Sequence, residues 1–567
     1  MRQRSRPRRR GGVVLLALLV AALLAGCSSI PVTGPVGTLQ PRVSSQDDET
    51  SPIEAVGPSD GDDPASIVSG FIAAGADSSD DYAVARSFLT PERAQSWDAT
   101  AGTSVVDQGV DVVSTVGENS LRASLNVVRR IDADGLRTDL SPASTVRITF
   151  TVKRVDGEWR ISRAPDGIIV DASRFELLFT PVTLYYYADE TFSTLVPDLR
   201  WFARRKGRVT TVVSSLLAGP APYLQGVVTS AFPEEAKLRR SSVPVEDGTA
   251  TVDLPGTVVS GVSDQERQRM VQQLTLSLSD IGTVSEVHLS TDGRDLDVGA
   301  QGAPLPEPIL QPAVDDTLVG VREGRLVTGP AENLTEVSSP GEAVTAPALA
   351  PTGDGVVALT HQGSRLVSLQ GDGSLKTLLR GGELLDPSFG PRSWVMTAER
   401  GSDGPLQAVR AGGGGRITLS AGWLRGLRLS SVRVSVDGTR LAMTATQDDR
   451  EVLLVTGIRR DEAGKPVGLT PPLRLRNPNR ATRVLWADQD TLVAYRESAT
   501  ELASIEEIGL DGHVEAWRQK LRGISRLTLA AGRDGDVDAQ TADGLYLRRV
   551  TGWQGSPLTV RELAFRG

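Results

Sequence analysis

From residue 313 to its C-terminus the chain runs for about 255 residues without one long amphipathic helix. Short strand-like stretches alternate there with Gly and Asp-Gly turns, and a loose unit recurs. Ala348–Ala358 is one copy, Val434–Met443 with Asp437-Gly438 at its tip is a clearer one, and Val484–Ala494 is a third. Leu527–Gly532 and Leu545–Leu547 fall in a later one. Each reads as strand, tight turn, strand, and a second strand pair follows, as at Arg365–Leu369 before Gly371-Asp372-Gly373-Ser374. Repeats of roughly 40–50 residues with four strands each are the pattern of β-propeller blades, and 313–567 has room for about six. Ring closure is the physical reason for such a repeat, because it leaves only short, protected strand edges. A β-sandwich would need two domains to use this length and would not repeat in this way. Trp394, Trp423, Trp486 and Trp553 are expected to pack between blades.

The other end of the chain carries a different constraint. Six arginines and no acidic residue precede the apolar run Gly11–Gly26, which is too short for a spanning helix of roughly 20 residues. A basic start, a short apolar stretch and small residues describe an export signal, assigned to 1–26. Leu24-Ala25-Gly26-Cys27 resembles the lipobox of bacterial lipoproteins, and Cys27 is the only cysteine. The resemblance implies cleavage before Cys27, an S-diacylglycerol on its thiol and an N-acyl chain (a palmitate, for instance) on the new amine. Residues 27–63 are polar, rich in Ser, Pro, Gly and acid, without apolar periodicity, and read as a disordered tether. Within it, Gly57-Pro58-Ser59-Asp60-Gly61 matches G-x-S-x-G but lacks the flanking strand and helix that a nucleophile elbow needs. Asp60–Asp63 lacks the ligand spacing of a calcium loop.

Two smaller domains are expected between tether and propeller. In 64–170, Asp63-Pro64 caps a helix with Ile67, Val68, Phe71 and Ile72 on one side, and a second helix carries Tyr82, Ala85, Phe88 and Leu89. After a turn at Thr90-Pro91 come strands at Val110–Val116, Leu121–Ile131 and Thr145–Val155, then an Asp156-Gly157 hairpin into Glu158–Ser162. Helices followed by an antiparallel sheet ending in Asp156-Gly157-Glu158-Trp159-Arg160-Ile161 resemble the NTF2-like cone. In 181–300, a helix with Val209, Val212, Val213, Leu216 and Leu217 stops at Gly219-Pro220, and Ser263 with Glu266 forms a capping box. The succession Leu216–Pro220, Phe232-Pro233, Val245–Leu254, Gln272–Leu278 and Val287–Gly293 resembles the GerMN domain, an α/β sandwich. That resemblance implies an interaction module. Tyr185-Tyr186-Tyr187 reads as core, with alternation sending Tyr186, or the outer pair, inward. Pro304, Pro306, Pro308 and Pro312 mark a stiff linker. The fold class is thus multidomain, α+β followed by all-β.

Nothing in this sequence assembles a catalytic, cofactor or metal site. His288, His361 and His513 lack ligand spacing, and no second cysteine is available for zinc or a disulfide. Gly412–Gly415 opens no helix and so is no phosphate loop. Without the six N-terminal arginines the chain has 55 basic against 70 acidic side chains, a charge near −15 that argues against nucleic acid as a partner. It also leaves membrane attachment to the lipid.

Lipobox, NTF2-like domain, GerMN domain and propeller, in that order, resemble the actinobacterial LpqB lipoproteins. The resemblance implies an extracytoplasmic lipid-anchored protein without enzyme activity, an accessory of the two-component system of the sensor kinase MtrB and the regulator MtrA. In that family the lipoprotein contacts the kinase's extracytoplasmic domain and modulates signalling to cell-wall homeostasis and division. Only Cys27 carries over as a functional residue. The alternative is a binding protein whose propeller captures a cell-wall glycan or small ligand, which predicts a pocket with polar groups and stacked aromatics. A hydrolase or isomerase in the NTF2-like cone would require a buried Asp–Tyr or His pair.

Overall fold

The computed structural model describes residues 53–565, apart from residues 108, 115–118, 190, 297, 299–304, 311–316, 332, 339–340, 352, 354 and 530–536. The N-terminal region is a six-stranded sheet, Gly102–Asp171, packed against helices. Asp63 caps the helix Pro64–Ala74 by accepting from the Ala65 and Ser66 amides, with Pro64 at its first turn. Ile67, Val68 and Phe71 of this helix meet Leu121, Leu125, Phe150 and Ile161 of the sheet in one core. The hairpin tip Asp156-Gly157 has both residues in the left-handed region, as a two-residue turn between right-twisted strands requires.

Several expectations change here. The tether does not extend to Asp63: Ile53 and Ala55 pack on the N-terminal core, the Ala55 amide donates to Asp77 (3.0 Å) and the Gly61 amide to Glu158 (3.0 Å). Two apolar residues are too few to show as periodicity, yet they suffice where a core edge lies open. Thr90-Pro91 is not a turn but the start of a helix, Pro91–Ser96, which Thr90 caps by accepting from the Arg93 amide. The strand Gly102–Val106 went unread. It pairs in parallel with Ile168–Asp171, a partner far along the chain that gives no local signal.

The middle region has two sheets. Val245–Glu246, Thr249–Leu254, Glu286–Thr291 and Arg294–Asp295 form one, with a parallel central pair. The helices Arg208–Ala218 and Asp264–Leu278 cover it through Val212, Val213, Leu216, Met270 and Leu274. The capping box is present, Ser263 and Glu266 each accepting from the other's amide. The second sheet is a ribbon of Phe179–Tyr187 and Leu195–Ala203. Tyr186 points into the core and its hydroxyl donates to the Leu216 carbonyl (3.1 Å). Tyr187 is buried too, against the expected alternation, because Phe192 packs edge-on to it and its hydroxyl meets Gln272 (3.1 Å) at the ribbon's end. The described end of the Pro-rich linker lies along this ribbon, Leu195 donating to the Ile309 carbonyl (3.0 Å).

The C-terminal region forms six sheets of four or five strands among the described residues. Their inner strands are Arg561–Phe565, Val344–Leu349, Ser388–Phe389, Arg428–Val434, Arg483–Trp486 and Arg526–Leu529, each beside the next, the last beside the first. This is the ring of a β-propeller. The chain's C-terminal strand closes it by pairing with Leu318–Arg322, so the first sheet draws strands from both ends of the region. The recurring sequence unit is the hairpin of the two innermost strands of a sheet, as in Arg428–Val434 with Arg440–Gln447. Trp394 packs with Leu406, Leu429 and Val432 between neighbouring sheets. Trp486 lies between two others, under the guanidinium of Arg440.

All three regions share buried contacts. Val196, Ala221, Tyr223 and Leu224 of the middle region join Ala442, Leu453, Val455 and Trp486 of the ring in one apolar cluster, with Leu136 from the N-terminal sheet beside it. Thr470 donates to the Tyr223 carbonyl (2.7 Å), Trp201 to the Asp511 carbonyl (3.0 Å) and Arg137 to the Gly512 carbonyl (2.9 Å). A side chain at Gly457 would place its Cβ 2.4 Å from the Tyr223 carbonyl oxygen, so that approach requires glycine. Arg200 and Asp198, both buried, pair at 2.7 Å within this junction, and Arg200 also reaches the Asp134 carbonyl (2.9 Å). An apolar, buried junction of this kind opposes relative domain motion.

Candidate functional site

Cys27, the one predicted site residue, lies outside the described residues, as do the export signal and the tether up to residue 52. The histidines stay apart: His288 pairs with Glu286 (3.1 Å), His361 with Glu342 (3.1 Å), and the amide of His513 donates to Asp511 (2.8 Å) in a turn. Among the described residues no group of three or more His, Cys, Asp or Glu is placed to hold a metal ion.

What the structure does bring together is a charge cluster at the centre of the ring. Asp386 enters just before the inner strand Ser388–Phe389. Arg433, Arg483 and Arg526 stand on the next three inner strands, and Arg400 reaches in from beside them. Asp386 accepts from Arg526 Nη2 at 2.7 Å. Its other neighbours are longer: Arg433 Nη2 at 3.5 Å, Arg483 Nη1 at 3.8 Å and Arg400 Nη2 at 3.9 Å. The Arg433 Nη1 donates to the carbonyls of Val432 (3.0 Å) and Asp386 (3.3 Å). Glu497 pairs with Arg483 (2.6 Å), Glu383 with Arg400 (2.6 Å), and Glu562 lies 3.8 Å from Arg526.

Burial by itself would raise the Asp386 carboxyl. The guanidiniums of Arg526, Arg483, Arg433 and Arg400 outweigh it and hold the group well below the usual carboxylate range. Arg433 is shifted down, by burial first, with Asp386 opposing. The cluster lines a cavity of about 250 Å³, whose walls also include Ala346, Tyr495 and Gln540. Arg433 and Arg526 also line a second cavity, of about 100 Å³, with Trp486, Leu529 and Phe565. The charged layer therefore stands between a polar chamber and a more apolar one. Tyr495 is the aromatic residue of the polar chamber, and its hydroxyl accepts from the Leu527 amide (2.9 Å).

Local backbone irregularity shapes this chamber. The inner strand Val344–Leu349 slips register between Thr345 and Ala348, and Ala346 sits at φ 46° with its amide donating to Glu562. Glu562 itself sits at φ 53°, in the register shift of the closing strand. Left-handed backbone at two non-glycine residues is costly and concentrates at functional sites, as do bulges. Sequence reading passed over the cluster because its members are distant in the chain. The available signal was their spacing: Asp386, Arg433, Arg483 and Arg526 follow one another at 47, 50 and 43 residues, the blade period.

Three family models match the chain in succession. They are the Lipoprotein LpqB N-terminal domain over 57–176, the sporulation and spore germination domain Germane over 183–297, and the Lipoprotein LpqB beta-propeller domain over 324–562. The chain belongs to the LpqB lipoprotein family. Lipoprotein LpqB of Bifidobacterium longum is 27% identical over 534 residues, 89% of this chain and 88% of that one. The LpqB of Mycobacterium bovis is 28% identical over 543 residues, 88% of each chain, and that of Streptomyces coelicolor 27% over 583 residues, 90% of each. Among solved structures, TolB from Acinetobacter baumannii aligns at 14% identity over 44% of this chain and 65% of that one, with a TM-score of 0.31. Membership in the LpqB lipoproteins makes this a membrane-anchored lipoprotein, and no helix among the described residues is long and apolar enough to cross a membrane.

Proposed function

We propose that this protein is a non-enzymatic accessory of a membrane sensor histidine kinase of the MtrB type. It is exported by its signal peptide, anchored to the extracytoplasmic face of the cell membrane through lipids on Cys27, and bears on cell-wall homeostasis and division. In this reading the N-terminal region is an NTF2-like cone and the ring has six blades. The observation that carries it is the junction: three folded regions locked into one body by a shared apolar cluster, in a chain whose Leu24–Cys27 resembles a lipobox. A thioether-linked diacyl group plus an amide-linked chain holds firmly to a bilayer. Confinement to the membrane plane raises the effective concentration of a membrane partner, so modest contacts suffice. Modulation then requires different affinity for the kinase's on and off states. Co-reconstitution tests this. With the acylated protein in the same vesicles, the kinase's autophosphorylation rate changes, and the Cys27→Ala variant at equal bulk concentration loses most of the effect. An unchanged rate with the acylated protein contradicts the proposal.

A second reading, capture of a cell-wall glycan or small ligand by the propeller, is favoured by the polar chamber at the ring's centre.

A further inference from the structure

We infer that the central chamber of the propeller binds a small oxyanion, a carboxylate or phosphate group, between Arg433, Arg483 and Arg526. This deepens the ligand-capture reading and rests on it.

The first argument is a count of donors. Asp386 has two carboxylate oxygens for the guanidiniums around it, and only Arg526 comes within hydrogen-bond distance, at 2.7 Å. The others stand at 3.5, 3.8 and 3.9 Å, held near by charge but not hydrogen-bonded to the carboxylate. Arg483 Nη1 is buried and has no hydrogen-bond partner. A buried guanidinium nitrogen without an acceptor is costly, and an incoming oxygen removes that cost.

The second argument is where the charges lie. Counted by formal charge, four arginines face four carboxylates. Two of those carboxylates belong to the rim, Glu383 at 63% exposed and Glu497 at 40%, whereas Glu562, at 26%, lies as deep as Arg400. The arginines are 12–28% exposed and Asp386 14%. Water screens Glu383 and Glu497 more than the inner groups, so the four arginines outnumber Asp386 and Glu562 in the interior of the chamber, which is net positive. Guanidinium forks suit carboxylate and phosphate oxygens in particular. At about 250 Å³ the chamber fits an anionic group, or the anionic end of a larger molecule, rather than a whole drug-sized ligand. The rim carboxylates are then placed to accept from hydroxyls or amines of the remainder.

The test is calorimetric titration of the full acylated chain in detergent at fixed ionic strength. The probes are inorganic phosphate, lactate as a carboxylate, and N-acetylglucosamine as a neutral sugar. Phosphate or lactate binds, Arg483→Gln weakens it about tenfold or more, and Glu497→Gln, which frees Arg483 from its partner, tightens it. The Glu497→Gln arm reads the same site should Arg483→Gln fail to fold. Binding of only the neutral sugar overturns the oxyanion site while the ligand-capture reading stands. Binding of none of the three, or phosphate binding indifferent to both variants, overturns the inference.

Discussion

Asp386 is the carboxylate that the inner arginines surround, and four guanidiniums depress its pKa against the opposing effect of burial. A depressed folded-state pKa means stability that is present above the unfolded value, near 3.9, and is lost progressively as pH falls toward the folded value. Asp386→Asn leaves buried guanidiniums uncompensated and is expected to cost about 3–5 kcal/mol at pH 7. Below about pH 4 the wild type loses the same contribution, so the two stability curves converge in acid. Urea denaturation at pH 7 and pH 3 checks this, and an equal gap at both pH values contradicts it. Residue-scale features were legible where they act locally. Asp63, Ser263 with Glu266, and Gly219 mark helix ends by their own chemistry and sit where the sequence places them. The chamber's residues have no local signature, since only ring closure brings Asp386 to Arg526.

Among elements, the strand Arg561–Phe565 decides whether the ring exists. It pairs with Leu318–Arg322 from the other end of the region, and Leu563 is buried between Leu318, Leu545 and Val560. Leu563→Ala is expected to destabilise the protein by about 2–5 kcal/mol. Amide exchange should rise in Leu318–Arg322 as well as in the mutated strand. Exchange that rises only around residue 563 would contradict closure as described. Elements with one wet face were readable from alternation, as at Thr249–Leu254. Leu195–Ala203 was not. It is buried along almost its whole length, and its two charged residues, Asp198 and Arg200, are buried as a pair, so polarity does not mark a wet face. Tyr187 escaped the alternation rule for a related reason: both faces of the ribbon's end are covered.

For the whole molecule, composition and module order pointed to a lipid-anchored protein made of binding folds, and the matched models follow that order. What no local pattern conveyed is the junction of Tyr223, Gly457, Thr470, Trp201 and Arg137, because it joins backbone carbonyls to residues hundreds of positions away. Its consequence is that the ring is held in fixed relation to the N-terminal sheet, so the anchor proposed at Cys27 would present one body. In the proposed function this body meets a kinase at the membrane. The direct measurement is photo-crosslinking in intact membranes from the exposed apolar positions Leu177, Val467, Leu502 and Val550, with captured partners identified by mass spectrometry. Recovery of the sensor kinase's extracytoplasmic domain, lost with Cys27→Ala, is the predicted result; recovery of wall glycan alone, with no kinase from any position, would contradict it.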